Sequence, residues 1–343
     1  MKLISIAKAG GFDRLRYVDA PDPELGKGAV RVDVRAVGVN FADVVIRLGL
    51  YESAKKYVGW PITPGFEIAG VVAELGEGVS DLQVGERVFG VTRFGGYASQ
   101  VCVPRGQLFR IPAALSFAQA ATFPTVHLTA YYALREALRT RPGQTVLIHS
   151  AAGGVGLAAL QLAKADGLVP FGLVGSPSKR DIALEYGASA VIDRSSQDVW
   201  REVEKLAPGG LNYVLESNGA ETLRQSYSHL KPTGRLIVYG FTSMLSRGSA
   251  HPNWPKLAVD YLRTPSFHPL QMVDSNKGVI GFNLSYMFEE AELLTEAMGR
   301  MLAELEAKTL RPLPVTEFAL QDAKAAHAAL QSGSTVGKLA LIP

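Results

Sequence analysis

The sequence predicts an α/β protein in which a small barrel or sandwich of short strands is joined to a doubly wound parallel sheet. Three observations carry this expectation. Up to residue 110, short β-rich stretches are separated by glycine and proline. From residue 143 onward, short apolar strands alternate with helical segments. Between the first of those strands and the first of those helices stands a glycine cluster, in LIHSAAGGVGLAALQLAK (147–164). Many short strands punctuated by turns belong to barrels and sandwiches, whereas alternating β and α elements belong to parallel sheets. At 343 residues the chain is long enough for two cores.

The elements follow in order. GAVRVDVRAVGVN (28–40) alternates apolar and charged residues, the period of a half-buried strand. FEIAGVVAELG (66–76) is β-rich and ends in glycine-punctuated turns, and GGYASQVCVP (95–104) is a third strand closed by Pro104. From 116 the spacing becomes helical through SFAQAATFPTVHLTAYYALREAL, with Ser116 as its cap. Strands are then expected at 145–149, 169–174, 190–193, 212–216, 235–240 and 278–284, and helices near 154–166, 178–186, 197–206 and 220–230. After 287 come a long amphipathic helix, a strand, a short helix and a last strand, GKLALIP (337–343), expected to return to the first domain.

Composition narrows the class. Hydrophobic residues make up 47% and charged residues 20%, an ordinary globular balance. A net charge of +3 without a block of like charges argues against a nucleic-acid partner. Cys102 is the only cysteine, so there is no intramolecular disulfide and no thiolate-rich zinc site, as expected in a reducing cytoplasm. No secretory leader and no membrane-spanning run is expected.

The glycine cluster AAGGVG follows a strand and opens a helix, the context in which a G-x-G-x-x-G pattern carries meaning. Ala151 holds the first glycine position, and Gly153 and Gly156 the second and third. A glycine at 153 lets the backbone approach a pyrophosphate, one at 156 lets helix and strand pack closely, and the helix N-terminus receives the phosphates. An NAD site expects an acid at the end of the second strand. Here that strand ends in GSPSKR, with Ser176, Lys179 and Arg180, and Arg194 follows the third strand. A hydroxyl and cations without an acid suit the 2′-phosphate of NADPH.

The motifs GVNFADVVIRLGLY, PGFEIAGVV, VGERVFG, GGYASQ, TAYYAL, VLIHSAAGGVGLAALQLAK and GKLALIP occur in the order of the medium-chain dehydrogenase/reductase superfamily. The chain resembles its zinc-free, zeta-crystallin-like quinone oxidoreductases, and LQMVDSNKGVIGFNLSY (270–286) is similar to the VAT-1-like sub-branch. The resemblance implies a GroES-like β-barrel catalytic domain from 1–122 and 287–343, a Rossmann NADP(H)-binding domain from 123–286, a cleft between them, and a homodimer through the Rossmann sheet edge. It further implies a cofactor site of Thr129, Ala152, Gly153, Gly154, Val155, Gly156, Ser176, Lys179, Arg194, Asn218, Gly240, Phe241, Phe282, Asn283 and Lys338. In zinc-dependent members a Cys, a His and a Cys bind the catalytic metal. The matching positions here are Asn40, Phe66 and Thr125, none of which offers zinc a nitrogen or thiolate ligand.

Without a metal, a conjugated acceptor is the easier substrate, because hydride addition to a quinone or an α,β-unsaturated carbonyl spreads the charge onto an oxygen. Such a site needs near-attack geometry, donors to that oxygen and exclusion of water. The resemblance places two candidates in the substrate cleft: Asn40, an amide donor that also suits a turn cap, and Tyr51, either a proton donor or an aromatic wall. Asp43 is read as a turn or salt-bridge residue, Arg47 as a surface or inter-element charge, and Glu67 as bonded to backbone or to an arginine. His127 is read as a helix residue, packed or meeting the cofactor, and His149 as a buried hydrogen-bonding group. The functional expectation is a zinc-independent, NADPH-dependent reductase of quinones or enones. The alternatives are an NADPH-binding interaction or sensor protein with little turnover, and an enoyl-thioester reductase using Lys55 and Lys56 at its entrance.

Overall fold

The computed structural model describes residues 1–245 and 248–343, and the chain divides into two units. One is built from Met1–Leu128 and Leu284–Pro343 with a short stretch ending at His251. The other begins at Thr129 and includes Pro252–Asn283.

The hub of the first unit is the strand Ala29–Val39. It pairs antiparallel with Glu67–Leu75, with Gln100–Pro104 and with the last strand, Lys338–Ile342. The C-terminal strand thus returns to the N-terminal sheet, with Leu339 opposite Val39 and Leu341 opposite Val37. Val315–Ala319 lies parallel beyond it, and Arg87–Val91 and Leu108–Arg110 complete a seven-stranded sheet on the other side. Alternate residues face inward as strand periodicity requires: Val30, Val32, Val34, Ile68, Leu339 and Leu341 are all buried in one core. Only the second half of the predicted strand 95–104 joins the large sheet; in the first half Ala98 makes a single bridge to Leu3. Gly95 takes a left-handed φ of 88°, and the Gly95, Gly96 and Tyr97 amides bond to Thr63, Gly65 and Pro64 instead.

The helical stretch beginning at Ser116 is broken. Ser116 caps Phe117–Ala121 through its bond from the Gln119 amide, but the helix ends at Thr122 and restarts at Pro124. Proline has no amide to donate and biases the residue before it away from helix. Pro124–Tyr131 then runs into a π-helical turn, Tyr132–Glu136.

Among the described residues the second unit holds six strands, all parallel: Thr145–Ile148, Val169–Val174, Ala190–Asp193, Leu211–Glu216, Leu230–Val238 and Gly278–Gly281. Counted along the chain their order in the sheet is 3-2-1-4-5-6. That order reverses between the first and fourth strands, and open sheets of this kind bind ligands beyond the carboxyl ends at such a reversal. The expected strand 278–284 is shorter than its sequence suggests. It stops at Gly281, and Leu284–Tyr286 makes a 3₁₀ turn. Among the described residues no helix is long and apolar enough to cross a membrane.

Candidate functional site

In the second unit the glycine turn sits at the strand-order reversal. Strand Thr145–Ile148 leads to Ser150, which adopts a left-handed φ of 52°, and the 12-residue helix Gly154–Ala165 begins four residues later. Gly153 is its N-cap, with extended backbone, and donates from its amide to Ser150 O at 2.9 Å. A Cβ on Gly156 would lie 2.4 Å from Ser150 O and 2.6 Å from Ala151 Cα, so the helix approaches the turn as closely as only glycine allows. The first-turn amides at Gly154, Val155 and Gly156 have no partner further back in the helix and point toward its N-terminus, as an anion site requires. Ala152 is buried beside them.

Beyond the second strand, Ser176 Oγ is 3.0 Å from Ser178 Oγ, and Lys179 closes a 3₁₀ turn. Arg194 arches over Gly175, where an added Cβ would be 3.6 Å from its Nε. The structure therefore groups Ser176 and Arg194 about Gly175. Arg180 is committed elsewhere, to Val191 O at 3.0 Å and to Gln197.

Asn218 follows the fourth strand. Its Nδ2 donates to His149 Nδ1 at 2.9 Å, and its Oδ1 accepts from Ser150 and Thr242 hydroxyls at 3.4 Å. His149 Nε2 lies 3.2 Å from Ser226 Oγ and 3.4 Å from Glu216, whose carboxylate also accepts from Thr222, from Ser226 and from the Asn218 amide. Burial pushes the His149 pKa down against the pull of Glu216. This network ties the turn after the first strand to the turn after the fourth. The sequence pointed to His149 as a hydrogen-bonding residue, but neither Glu216 nor Ser226 carried a local signal. Gly240 closes against Ser217 O, and Phe241 is exposed. The Phe282 ring packs 4.7 Å from Tyr132, followed by Asn283; Thr129 is buried at the start of the unit.

In the first unit the candidate residues converge from both chain ends. Asn40 caps the helix Phe41–Arg47, but the cap is closed by Asp43, whose Oδ2 accepts from the Asn40 amide at 2.8 Å. The Asn40 side chain turns away: Nδ2 donates to Glu67 Oε1 at 2.9 Å, and Oδ1 accepts from Lys338 Nζ at 2.7 Å. Lys338 also donates to Val39 O at 2.7 Å and to Glu67 Oε1 at 2.9 Å. Glu67 Oε2 accepts from the Thr125 amide at 2.7 Å. Gly38 makes room, since a Cβ there would fall 2.2 Å from Glu67 Oε1. The resemblance implied Lys338 as a cofactor contact. Its ammonium, which has three donors, is directed at three oxygens of this cluster. Glu67 bonds to backbone and to this lysine rather than to an arginine.

A second buried group adjoins it. Asp43 also accepts from the Gly65 amide at 2.9 Å and from the Tyr97 hydroxyl at 3.2 Å, and Tyr97 Oη is 3.1 Å from His327 Nε2. Burial pushes the Asp43 carboxyl up to about 7, against the Asn40 and Gly65 amides. Burial holds His327 down to about 3. His127, stacked on Phe123 at 3.8 Å, is lowered by burial to about 4. Tyr51 caps the helix Glu52–Tyr57, and its ring meets the edge of Phe66 at 5.9 Å. Of the two readings of Arg47 the structure shows the inter-element one: it is fully buried, donating to Gly10 O, Ala250 O and Gln331 while lying over the Phe12 ring.

These residues do not fit a catalytic zinc. Positions 40, 66 and 125 carry an amide, a phenyl ring and a hydroxyl, and an ammonium already bonds the amide and carboxylate oxygens. Among the described residues no group of three or more His, Cys, Asp or Glu side chains is placed to hold a metal.

Comparison with known proteins agrees with this architecture. Residues 26–113 match the alcohol dehydrogenase GroES-like domain, and residues 154–267 match the zinc-binding dehydrogenase domain, whose metal the donor set above does not suit. The rat synaptic vesicle membrane protein VAT-1 homolog is 34% identical over all of this chain and 84% of its own length. The Escherichia coli quinone oxidoreductase, solved in complex with NADPH, superposes over the whole of both chains with a TM-score of 0.87 and 29% identity. The CurK enoyl reductase covers 99% of this chain and 98% of its own at 28% identity and a TM-score of 0.85. Its GroES-like and Rossmann-type units and these relatives show that the chain belongs to the medium-chain dehydrogenase/reductase superfamily, within its VAT-1-like quinone oxidoreductase branch.

Proposed function

We propose that the protein is an NADPH-dependent, metal-independent reductase of quinones or α,β-unsaturated carbonyls. The observation that carries this reading is the replacement of a metal site by an oriented amide: Asn40 is held between Glu67 and Lys338 and keeps one amide hydrogen beyond the one given to Glu67. Bound NADPH supplies the hydride. Ser176, Lys179 and Arg194 receive its 2′-phosphate, and the Gly153–Gly156 turn receives the pyrophosphate. The Asn40 amide donates to the acceptor oxygen as negative charge builds there. Tyr51, with its ring fixed against Phe66, walls the acceptor and supplies a phenolic proton. A homodimer through the open edge of strand Gly278–Gly281 completes the expected assembly.

A second reading, an enoyl-thioester reductase, is favoured by the likeness to CurK enoyl reductase. Against it, Lys55 is already paired with Glu52 at 3.2 Å and Lys56 lies over the Tyr57 and Tyr286 rings. The test is NADPH oxidation at 340 nm by chelator-treated protein with a quinone, a short enone and an enoyl thioester in turn. Turnover of quinone or enone supports the proposal, and a strong preference for the thioester moves the assignment to the second reading. NADPH binding without any turnover replaces both with a cofactor-binding sensor.

A further inference from the structure

We propose that Glu67 and Lys338 are positioning residues that lock the Asn40 amide, nitrogen on the carboxylate side and oxygen on the ammonium side. This inference rests on the reductase reading and adds the device that makes Asn40 a fixed donor.

The argument begins with burial. Glu67 is 0% exposed, Lys338 4% and Asn40 7%. A buried ion pair is weak evidence for stability, because desolvation offsets most of its attraction. This pair lies 271 residues apart in sequence, and both members bond the same amide. Its geometry accounts for every donor of the lysine. Nζ bonds Val39 O, Asn40 Oδ1 and Glu67 Oε1, which leaves the ammonium no hydrogen for a cofactor.

The orientation of the amide follows from chemistry. With Oδ1 toward the ammonium and Nδ2 toward the carboxylate, both contacts are charge-assisted. Flipped, the NH₂ would face the ammonium and the carbonyl would face the carboxylate, so both contacts would become repulsive. The remaining Nδ2 hydrogen is therefore fixed in direction, in the amide plane. Hydrogen bonding to a cation at the carbonyl end polarises the amide and strengthens that donor. A metal in this superfamily would activate an oxygen directly. Here a buried ammonium acts on it through the asparagine.

The test is a double-mutant cycle read three ways. Lys338→Met should lower kcat for a quinone or enone by about 10²-fold, the cost of losing one preorganised donor, with little change in acceptor KM. NADPH affinity, measured by fluorescence titration, should stay within about twofold, since no ammonium hydrogen serves the cofactor. In an Asn40→Ala background the same change should cost less than about threefold, because residues acting as a unit are not additive. Equal losses in both backgrounds would overturn the inference, as would a fall in NADPH affinity matching the fall in kcat/KM. Lys338→Met/Glu67→Gln leaves no unpaired buried charge and serves if the single variant does not fold.

If the wild-type protein reduces no acceptor, the reductase reading fails and the positioning claim is decided separately by NMR. In asparagine-¹⁵N-labelled protein, the Asn40 side-chain amide, identified by its loss in Asn40→Asp, should show widely split hydrogens. That splitting should collapse in the Lys338→Met/Glu67→Gln variant, and an unmoved resonance would overturn the claim.

Discussion

The two units each bury a polar cluster behind their candidate site, but they build it in opposite ways. In the second unit the groups come from the ends of neighbouring parallel strands and the turns after them: Ser150, Glu216 and Asn218, with His149 depressed by burial. Backbone geometry does most of the work there, through Gly153 and Gly156. In the first unit side chains do the work, and they come from residues 40, 67 and 338, brought together only because the last strand pairs with Ala29–Val39. A site made of local turns tolerates side-chain change but not added volume. A site made of convergent charges depends on each charge, and here on space as well, since a Cβ on Gly38 would fall 2.2 Å from Glu67 Oε1.

The largest expected effect breaks the charge side of this comparison. Glu67→Ala strands the Lys338 ammonium in the core and should cost about 3–5 kcal/mol, read from denaturant unfolding, as for other broken buried pairs. Glu67→Gln keeps an acceptor oxygen and should cost clearly less. Equal losses would mean that packing, not charge, holds the cluster.

Next comes pH. His127 and His327 are held down to about 4 and about 3 by burial. Unfolding lets both take protons below their ordinary value near 6.5, so the stability they support is present above that value and lost as pH falls. Asp43, raised to about 7, has the opposite sign: the stability it supports is lost as pH rises from its unfolded value toward 7. His149, also held down by burial, adds to the same side, so the losses outweigh the one gain and stability falls between pH 6.5 and 4. Chemical unfolding across that range checks it, and His127→Phe should make the slope shallower without reversing it.

Gly156→Ala sharpens the second unit. Its Cβ would meet backbone atoms of Ser150 and Ala151 at 2.4–2.6 Å, so the helix must shift. A loss of about 1–3 kcal/mol is expected, with weaker NADPH binding by titration calorimetry. An unchanged Kd would separate the glycine turn from the cofactor. The smallest effect is selectivity: Lys179→Ala should weaken NADPH by about tenfold and leave NADH nearly unchanged, as for a lost exposed phosphate contact. Equal weakening of both would remove Lys179 from the 2′-phosphate.

Much was legible because it was local. The alternating strand Ala29–Val39, the strand–glycine–helix unit at 145–165 and the absent acid after Val174 all lie in short windows whose periodicity and spacing carry the physics. Misreadings arose where neighbours overrode the window. Pro124 split the helix begun at Ser116, and Gly95 pulled half a strand into a loop. Arg47 reads as a surface or inter-element charge, and only its enclosure by Phe12, Ala250 and Gln331 decides for the second.

The sequence by itself determined the order of strands and helices, the glycine turn and the residue types at the former metal positions. Periodicity and steric need are written within a few residues of where they act. The tertiary structure alone decided that Lys338 bonds Asn40 and Glu67, and that Asp43, Tyr97 and His327 share one buried group. Those contacts depend on strand pairing across most of the chain. No local pattern encodes which buried charge will meet which amide.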